Sequence, residues 1–126
     1  MPQMIVEYSD NIQKLDQQAL MLQLNHALFE TRLVQQPHDI KTRIRANGAF
    51  LIGFGQQADL PEQAYIHVRL AVLTGRSEAQ RQQMTDALAE SLQSFQGYEA
   101  QGLVVQLCVE LTEMPRQDYQ KISVQH

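Results

Sequence analysis

The sequence predicts a single α+β domain over residues 1–126, in which two βαβ units form a four-stranded mixed sheet with two helices on one face. The first observation is periodicity: apolar residues alternate with period two in four segments and recur at helical spacing in two others. The second is the order of these segments, strand–helix–strand followed by strand–helix–strand. A crossover helix returns the chain to the same end of the sheet, so the two strands of each unit pair in parallel.

The first unit is predicted over about residues 3–46. Alternation predicts strands over about residues 3–9 and 40–46, and leucines at helical spacing predict a helix from about Asp16 to Arg32. Because side chains alternate across a strand, one face of the second strand carries three cations. These cations are Lys41, Arg43 and Arg45.

The second unit is predicted over about residues 64–112, with strands over 64–74 and 102–112. Its helix begins at Ser77, where Ser77-x-x-Gln80 forms a capping box, and ends near Gly97. Between the units lies a glycine-containing segment with an apolar tip, which we call the excursion (residues 47–62). Each helix has one apolar stripe, so both helices are expected on the same side of the sheet, and self-association is expected to cover the other side.

Composition excludes several classes of function. The formal charge is −4, with 10 Lys+Arg against 14 Asp+Glu, which argues against nucleic acid or an anionic membrane as partner. The single cysteine, Cys108, is expected to be buried; it excludes a disulfide framework and fits a cytoplasmic location. The four histidines have no metal-ligand spacing, so neither a metal nor a cofactor is expected.

Pro2 is a candidate catalytic residue. If Met1 is removed, Pro2 becomes the chain terminus and carries a free secondary amine, which can act as a base once it loses its proton. Nearby cations and burial both favour the neutral amine. Arg76 directly precedes the second helix, whose N-terminus also favours anions. Together with the cations of the second strand, these residues predict a site for a small anionic substrate.

The N-terminal run Pro2–Ile12 closely resembles that of 5-carboxymethyl-2-hydroxymuconate isomerases, in the tautomerase superfamily. The resemblance continues at Ile40–Arg43, Tyr65–Val68 and Gly75–Ser77, and then at Arg81–Gln83. It implies a homotrimer of two-βαβ subunits without cofactor or metal. It also implies ketonisation of a dienol dicarboxylate or tricarboxylate in the degradation of homoprotocatechuate.

The resemblance also implies roles for individual residues. Pro2 resembles the amino-terminal general base of the family, and Arg76 resembles the arginine that engages a substrate carboxylate or the 2-oxygen. Lys41 stands where the family has a second substrate-binding arginine, and Arg43 matches the neighbouring arginine. The excursion lacks the tryptophan of the family's corresponding segment. Two alternatives therefore stay open: a superfamily relative with a changed substrate, and a non-catalytic trimeric ligand-binding protein.

Overall fold

The computed structural model describes all of residues 1–126. The predicted four strands and two helices are confirmed in their order, with two additional 3-10 turns. The strands are β1 (Gln3–Ser9), β2 (Lys41–Asn47), β3 (Glu62–Leu73) and β4 (Leu103–Met114), and the helices are α1 (Gln17–Phe29) and α2 (Glu78–Ser94). The 3-10 turns are Pro37–Asp39 and Arg116–Asp118. Neither helix is long and apolar enough to cross a membrane.

The sheet is mixed, with strand order β2-β1-β3-β4. Within each βαβ unit the strands are parallel, as predicted, and the central strands β1 and β3 pair antiparallel. This order brings the start of β1, the start of β2 and the end of β3 to one end of the sheet. The Lys41 N–H donates to the Pro2 carbonyl oxygen at 3.1 Å, which joins the first two of these strands directly.

The core lies between the sheet and the two helices. Fully buried side chains recur every four residues in both helices and at alternate positions of the two central strands. They include Leu20, Leu24 and Leu28 of α1, Met84, Leu88 and Leu92 of α2, Met4 and Val6 of β1, and Ile66, Val68, Leu70 and Val72 of β3. Burying one such side chain contributes about 1.5–3 kcal/mol, so this layer stabilises the fold and holds both helices on one side of the sheet.

The first helix is shorter than its apolar pattern predicts. It ends at Phe29 rather than at Arg32. The Thr31 hydroxyl donates to the Leu28 carbonyl at 2.6 Å, and the backbone of Arg32 has a φ of 65°, which lies in the left-handed region. A left-handed residue cannot continue a right-handed helix, so the chain turns away before the pattern stops.

The second helix begins with the predicted capping box. The Ser77 Oγ accepts from the Gln80 N–H at 3.2 Å, and the Gln80 side chain accepts from the Ser77 N–H at 2.9 Å. These bonds satisfy two backbone donors that a helix start otherwise leaves unpaired. They also fix the chain direction directly after Arg76.

We expect Ser77→Ala to lower the free energy of unfolding by about 1 kcal/mol, because it removes the side-chain acceptor of this cap. Urea denaturation monitored by circular dichroism measures the change. Gln93→Ala, at an exposed position late in α2, is the control and should change stability by less than about 0.5 kcal/mol. Equal midpoints for the Ser77 variant and the unaltered protein would show that the cap does not stabilise the helix.

The other side of the sheet is uncovered within one chain, and it is more polar than an apolar packing face. Arg45 pairs with Glu7 at 3.0 Å, and Glu110 pairs with both His67 and Arg69 at 3.2 Å. Cys108, which was expected to be buried, is exposed on this side, because its position in β4 alternates with the core-facing ones. Self-association on this side would therefore bring rows of charged side chains together rather than bury a large apolar surface.

Candidate active site

The candidate site lies at the end of the sheet where β1 begins. Pro2 is buried, and it has the same strand parity as Met4 and Val6, so it lies on the helix-covered side. Its carbonyl is held by the Lys41 N–H. The backbone of β2 thus places the first residues of the chain beside Lys41.

Four charged side chains lie near enough to the N-terminal amine to change its pKa. Burial lowers the pKa of the Met1 α-amino group below its usual range; Asp39 opposes this shift, and the cations Arg76, Lys41 and Lys121 add to it. We call the amine and these four residues the N-terminal cluster. Lys41 and Arg76 both influence this amine, and the Pro2 nitrogen lies one residue along the chain from it, so a common site for these three residues stays a prediction.

Arg76 is held in place by backbone carbonyls. Its Nη2 donates to the Leu33 carbonyl at 2.9 Å, and its Nη1 approaches the Leu73 carbonyl at 3.4 Å. Burial, together with the charge of Arg116, lowers the pKa of the Arg76 guanidinium from its ordinary value, but an arginine stays cationic at neutral pH. A guanidinium has five N–H donors, so donors remain for an anionic group of a substrate.

The other two cations of β2 share the uncovered side of the sheet with Lys41 but have different partners. The Arg43 Nη1 donates to the Gln3 Oε1 at 3.2 Å, and Arg45 pairs with Glu7, whose pKa this hydrogen bond lowers. Both arginines lie on the uncovered side of the sheet and further along β2 from the N-terminus. The three cations share a face as predicted, but Arg45 is already paired within the sheet, and a binding role for Arg43 stays a prediction.

Two members of the N-terminal cluster were not predicted from the sequence. Asp39 is only 6% exposed, and its Oδ1 lies 2.6 Å from the Lys121 Nζ. Asp39 could have been noticed, since it is a carboxylate two positions before Lys41 in a Pro-containing loop. No pattern in the neighbouring sequence marks Lys121, because its partner Asp39 lies 82 positions away in the chain.

A partly apolar cavity lies elsewhere in the chain. It has a volume of about 630 Å³ and is lined by the excursion together with Asn11, beyond the end of β1. Since β1 has seven residues and a strand rises about 3.3 Å per residue, roughly 20 Å separates this cavity from Pro2. The apolar cavity and the N-terminal cluster therefore lie at opposite ends of the sheet.

The cluster combines an amine with a lowered pKa and three cations. A lowered pKa widens the pH range in which the amine is a free base that can accept a proton, and fixed cations can hold a carboxylate or stabilise a developing oxyanion. No group of three or more His, Cys, Asp or Glu side chains is placed to hold a metal ion. The chemistry that these residues themselves can supply is proton transfer on an anionic molecule.

Comparison with solved structures identifies the same fold in known enzymes. A 5-carboxymethyl-2-hydroxymuconate isomerase from Deinococcus radiodurans R1 superposes with a TM-score of 0.77 at 22% identity, covering 98% of this chain and 90% of that one. A 5-carboxymethyl-2-hydroxymuconate delta-isomerase gives a TM-score of 0.78 at 20% identity, covering 98% and 89%. A malonate semialdehyde decarboxylase inhibited by 3-bromopropiolate gives 0.62 at 15% identity, covering 93% and 86%. No curated protein matches the sequence significantly.

The fold and the match to a family together define the class of protein as an isomerase of the tautomerase superfamily. Residues 2–126 match the 5-carboxymethyl-2-hydroxymuconate isomerase family, and the chain belongs to that family. The resemblance noted in the sequence is thus confirmed. Membership favours an enzyme over the alternative of a non-catalytic binding protein.

Proposed function

We propose that the protein is a cofactor-independent enol–keto isomerase of a small unsaturated dicarboxylate or tricarboxylate, with 5-carboxymethyl-2-hydroxymuconate of homoprotocatechuate degradation as its substrate. The observation that carries the proposal is the N-terminal cluster, in which a partly buried amine lies among three cations in a chain of this family. A site with this charge suits a small polyanion, although the whole chain is acidic.

In the proposed reaction, the free Pro2 amine removes the proton from the 2-hydroxyl of the dienol. Electrons move through the conjugated system from the 2-oxygen, and a proton is delivered to the distal carbon, so that a ketone forms and the base is regenerated. Arg76 and Lys41 bind the substrate carboxylates, and Arg76 stabilises negative charge on the 2-oxygen. Arg43 is proposed as a further contact for a substrate carboxylate. No redox partner is needed, since substrate and product are isomers.

A superfamily relative with a changed substrate is the second candidate. Lys41 favours it, because a lysine cannot form the bidentate pair that an arginine makes with a carboxylate. The excursion favours it as well, since Leu51 and Phe54 are 74% and 94% exposed and present an apolar surface.

Kinetics on a panel of substrates tests both candidates. Protein lacking Met1 is incubated with 5-carboxymethyl-2-hydroxymuconate, phenylenolpyruvate, 2-hydroxymuconate and halogenated acrylates, and the loss of substrate absorbance is followed. The first substrate should have the highest kcat/KM. A higher value for another member of the panel would support the changed substrate, and rates no greater than those of a Pro2→Ala variant throughout would refute both candidates.

We also propose that the active form is a homotrimer in the cytoplasm. The apolar excursion and the N-terminal cluster lie at opposite ends of one sheet, so a head-to-tail contact between copies would bring them together. Such heterologous contacts close into a ring when the rotation allows it. Light scattering at micromolar concentration should give three times the chain mass of 14.4 kDa, and a monomer would contradict the proposal.

A further inference from the structure

The proposed reaction leaves two charged residues of the N-terminal cluster without a role. The Asp39 carboxylate is nearly buried, and the Lys121 ammonium contacts it at 2.6 Å with 30% of the lysine side chain exposed. Removing a carboxylate from water is costly unless a cation or hydrogen-bond donors compensate for it. Lys121 supplies that cation, and a backbone hydrogen bond from Gln36 supplements it.

The route of the chain to this ion pair passes the candidate base. β4 is one edge strand and β2 is the other, and Asp39 lies just before β2. Three strand spacings separate the two edges, or about 14 Å. The segment after Met114 therefore crosses the end of β3 and the start of β1, where Arg76 and Pro2 lie, before Lys121 reaches Asp39.

Resting on the proposed function, we propose that Lys121 is a positioning residue for the site. By holding the Asp39 carboxylate in an ion pair, Lys121 prevents that carboxylate from pairing with the N-terminal amine, which stays available as the free base. Lys41 contributes to the same geometry, because its Nζ donates to the Asp39 backbone carbonyl at 3.2 Å and is not drawn to the Asp39 carboxylate.

Removing the charge of Lys121 and removing the charge of Asp39 should shift the pKa of the amine in opposite directions. Asp39 favours the protonated amine, whereas Arg76, Lys41 and Lys121 disfavour it. Removing the Lys121 charge takes away one cation and leaves the carboxylate unpaired, and both changes favour protonation of the amine. Removing the Asp39 charge takes away the one anion and favours the free base.

The test is a titration of the Pro2 nitrogen by NMR in protein that lacks Met1 and is labelled with [¹⁵N]proline. The chain has four prolines, and only a terminal one has a nitrogen that titrates, since the others are amides. Lys121 lowers the pKa of Asp39 by its hydrogen bond, so the carboxylate is an anion in the range above about pH 5 used here. We expect Lys121→Met to raise the pKa of the Pro2 amine and Asp39→Asn to lower it. At pH 7, kcat/KM for the Lys121 variant should fall by about threefold to tenfold.

Two further variants separate the effect of the Lys121 charge on the amine from the attachment of the C-terminal segment. Lys121→Arg keeps the cation and should titrate like the unaltered protein. Lys14→Met removes the same charge from a lysine paired with Glu99 at a distant, exposed site, and should leave the titration unchanged. If the ion pair only fastened the C-terminal segment, breaking it from either side would expose the amine equally. Equal shifts for Lys121→Met and Asp39→Asn, or no shift in either, would therefore overturn the proposal.

Failure of this proposal can be distinguished from failure of the proposed function. The titration reads the amine directly and needs no turnover. Opposite shifts in the two variants combined with an unchanged pH dependence of kcat/KM would establish the positioning effect and refute Pro2 as the base. Activity that depends on Pro2, combined with an unchanged titration in both variants, would support Pro2 as the base and refute the positioning effect of Lys121.

Discussion

Protein that retains Met1 is expected to have a kcat about 10²–10⁴-fold lower than protein from which Met1 has been removed, because a peptide-bonded Pro2 nitrogen cannot accept a proton. The two forms differ by one residue and share every other side chain, so each is the matched control of the other. Their proportions are read from the intact mass, and kcat is measured on the dienol substrate.

The pH dependence of kcat/KM tests independently whether the N-terminal amine is the base. Burial and the neighbouring cations lower the pKa of the N-terminal amine, with Asp39 opposing them, so the free base is present at a lower pH than for an ordinary amine. In protein lacking Met1, kcat/KM should therefore rise with pH as the amine loses its proton and level off above its pKa. Equal rates for the two forms, or a rate that falls with pH across this range, would exclude the amine as the base.

Arg76→Ala is expected to lower kcat/KM by about 10²–10³-fold, since it removes a fixed cation from the position where negative charge develops. The carbonyls of Leu33 and Leu73 also lose their donor, so the free energy of unfolding is measured in parallel. Arg76→Lys keeps the positive charge but lacks the planar guanidinium that can bind a carboxylate through two N–H groups. This variant should therefore lose less kcat/KM than Arg76→Ala but should not reach the value of the unaltered protein.

Arg45→Ala is the matched control for Arg76. It removes the same guanidinium from the uncovered side of the sheet, where Arg45 is 73% exposed and pairs with Glu7. An exposed ion pair contributes at most about 1 kcal/mol, so both stability and kcat/KM should change little. A loss of kcat/KM in Arg76→Ala no larger than that in Arg45→Ala would remove Arg76 from the site.

The parts of the site that could be predicted are those encoded locally. The cap at Ser77 follows from two residues three positions apart, and it places Arg76 at the start of α2. Lys41 follows from alternation in β2. By contrast, Asp39 and Lys121 meet across 82 positions, and no local pattern marks such a pair. Alternation likewise could not show that Arg45 is neutralised by Glu7, because that pairing depends on the register between two strands.

The expectation for Cys108 failed for a related physical reason. A cysteine in a strand is buried or exposed according to its parity, and the apolar residues on either side of it lie on the core-facing side. Its exposure then depends on whether anything covers the opposite side of the sheet, and within one chain nothing does.

The sequence by itself determined the element order, the parallel pairing within each unit and the family, because periodicity, caps and the N-terminal run are properties of neighbouring residues. Only the tertiary structure decided which charges surround the N-terminus. The antiparallel contact of β1 with β3 brings Arg76 to the start of β1, and the C-terminal segment carries Lys121 across the sheet to Asp39. Charge interactions depend on distance in space rather than on separation in the chain, so this cluster exists only once the chain has folded.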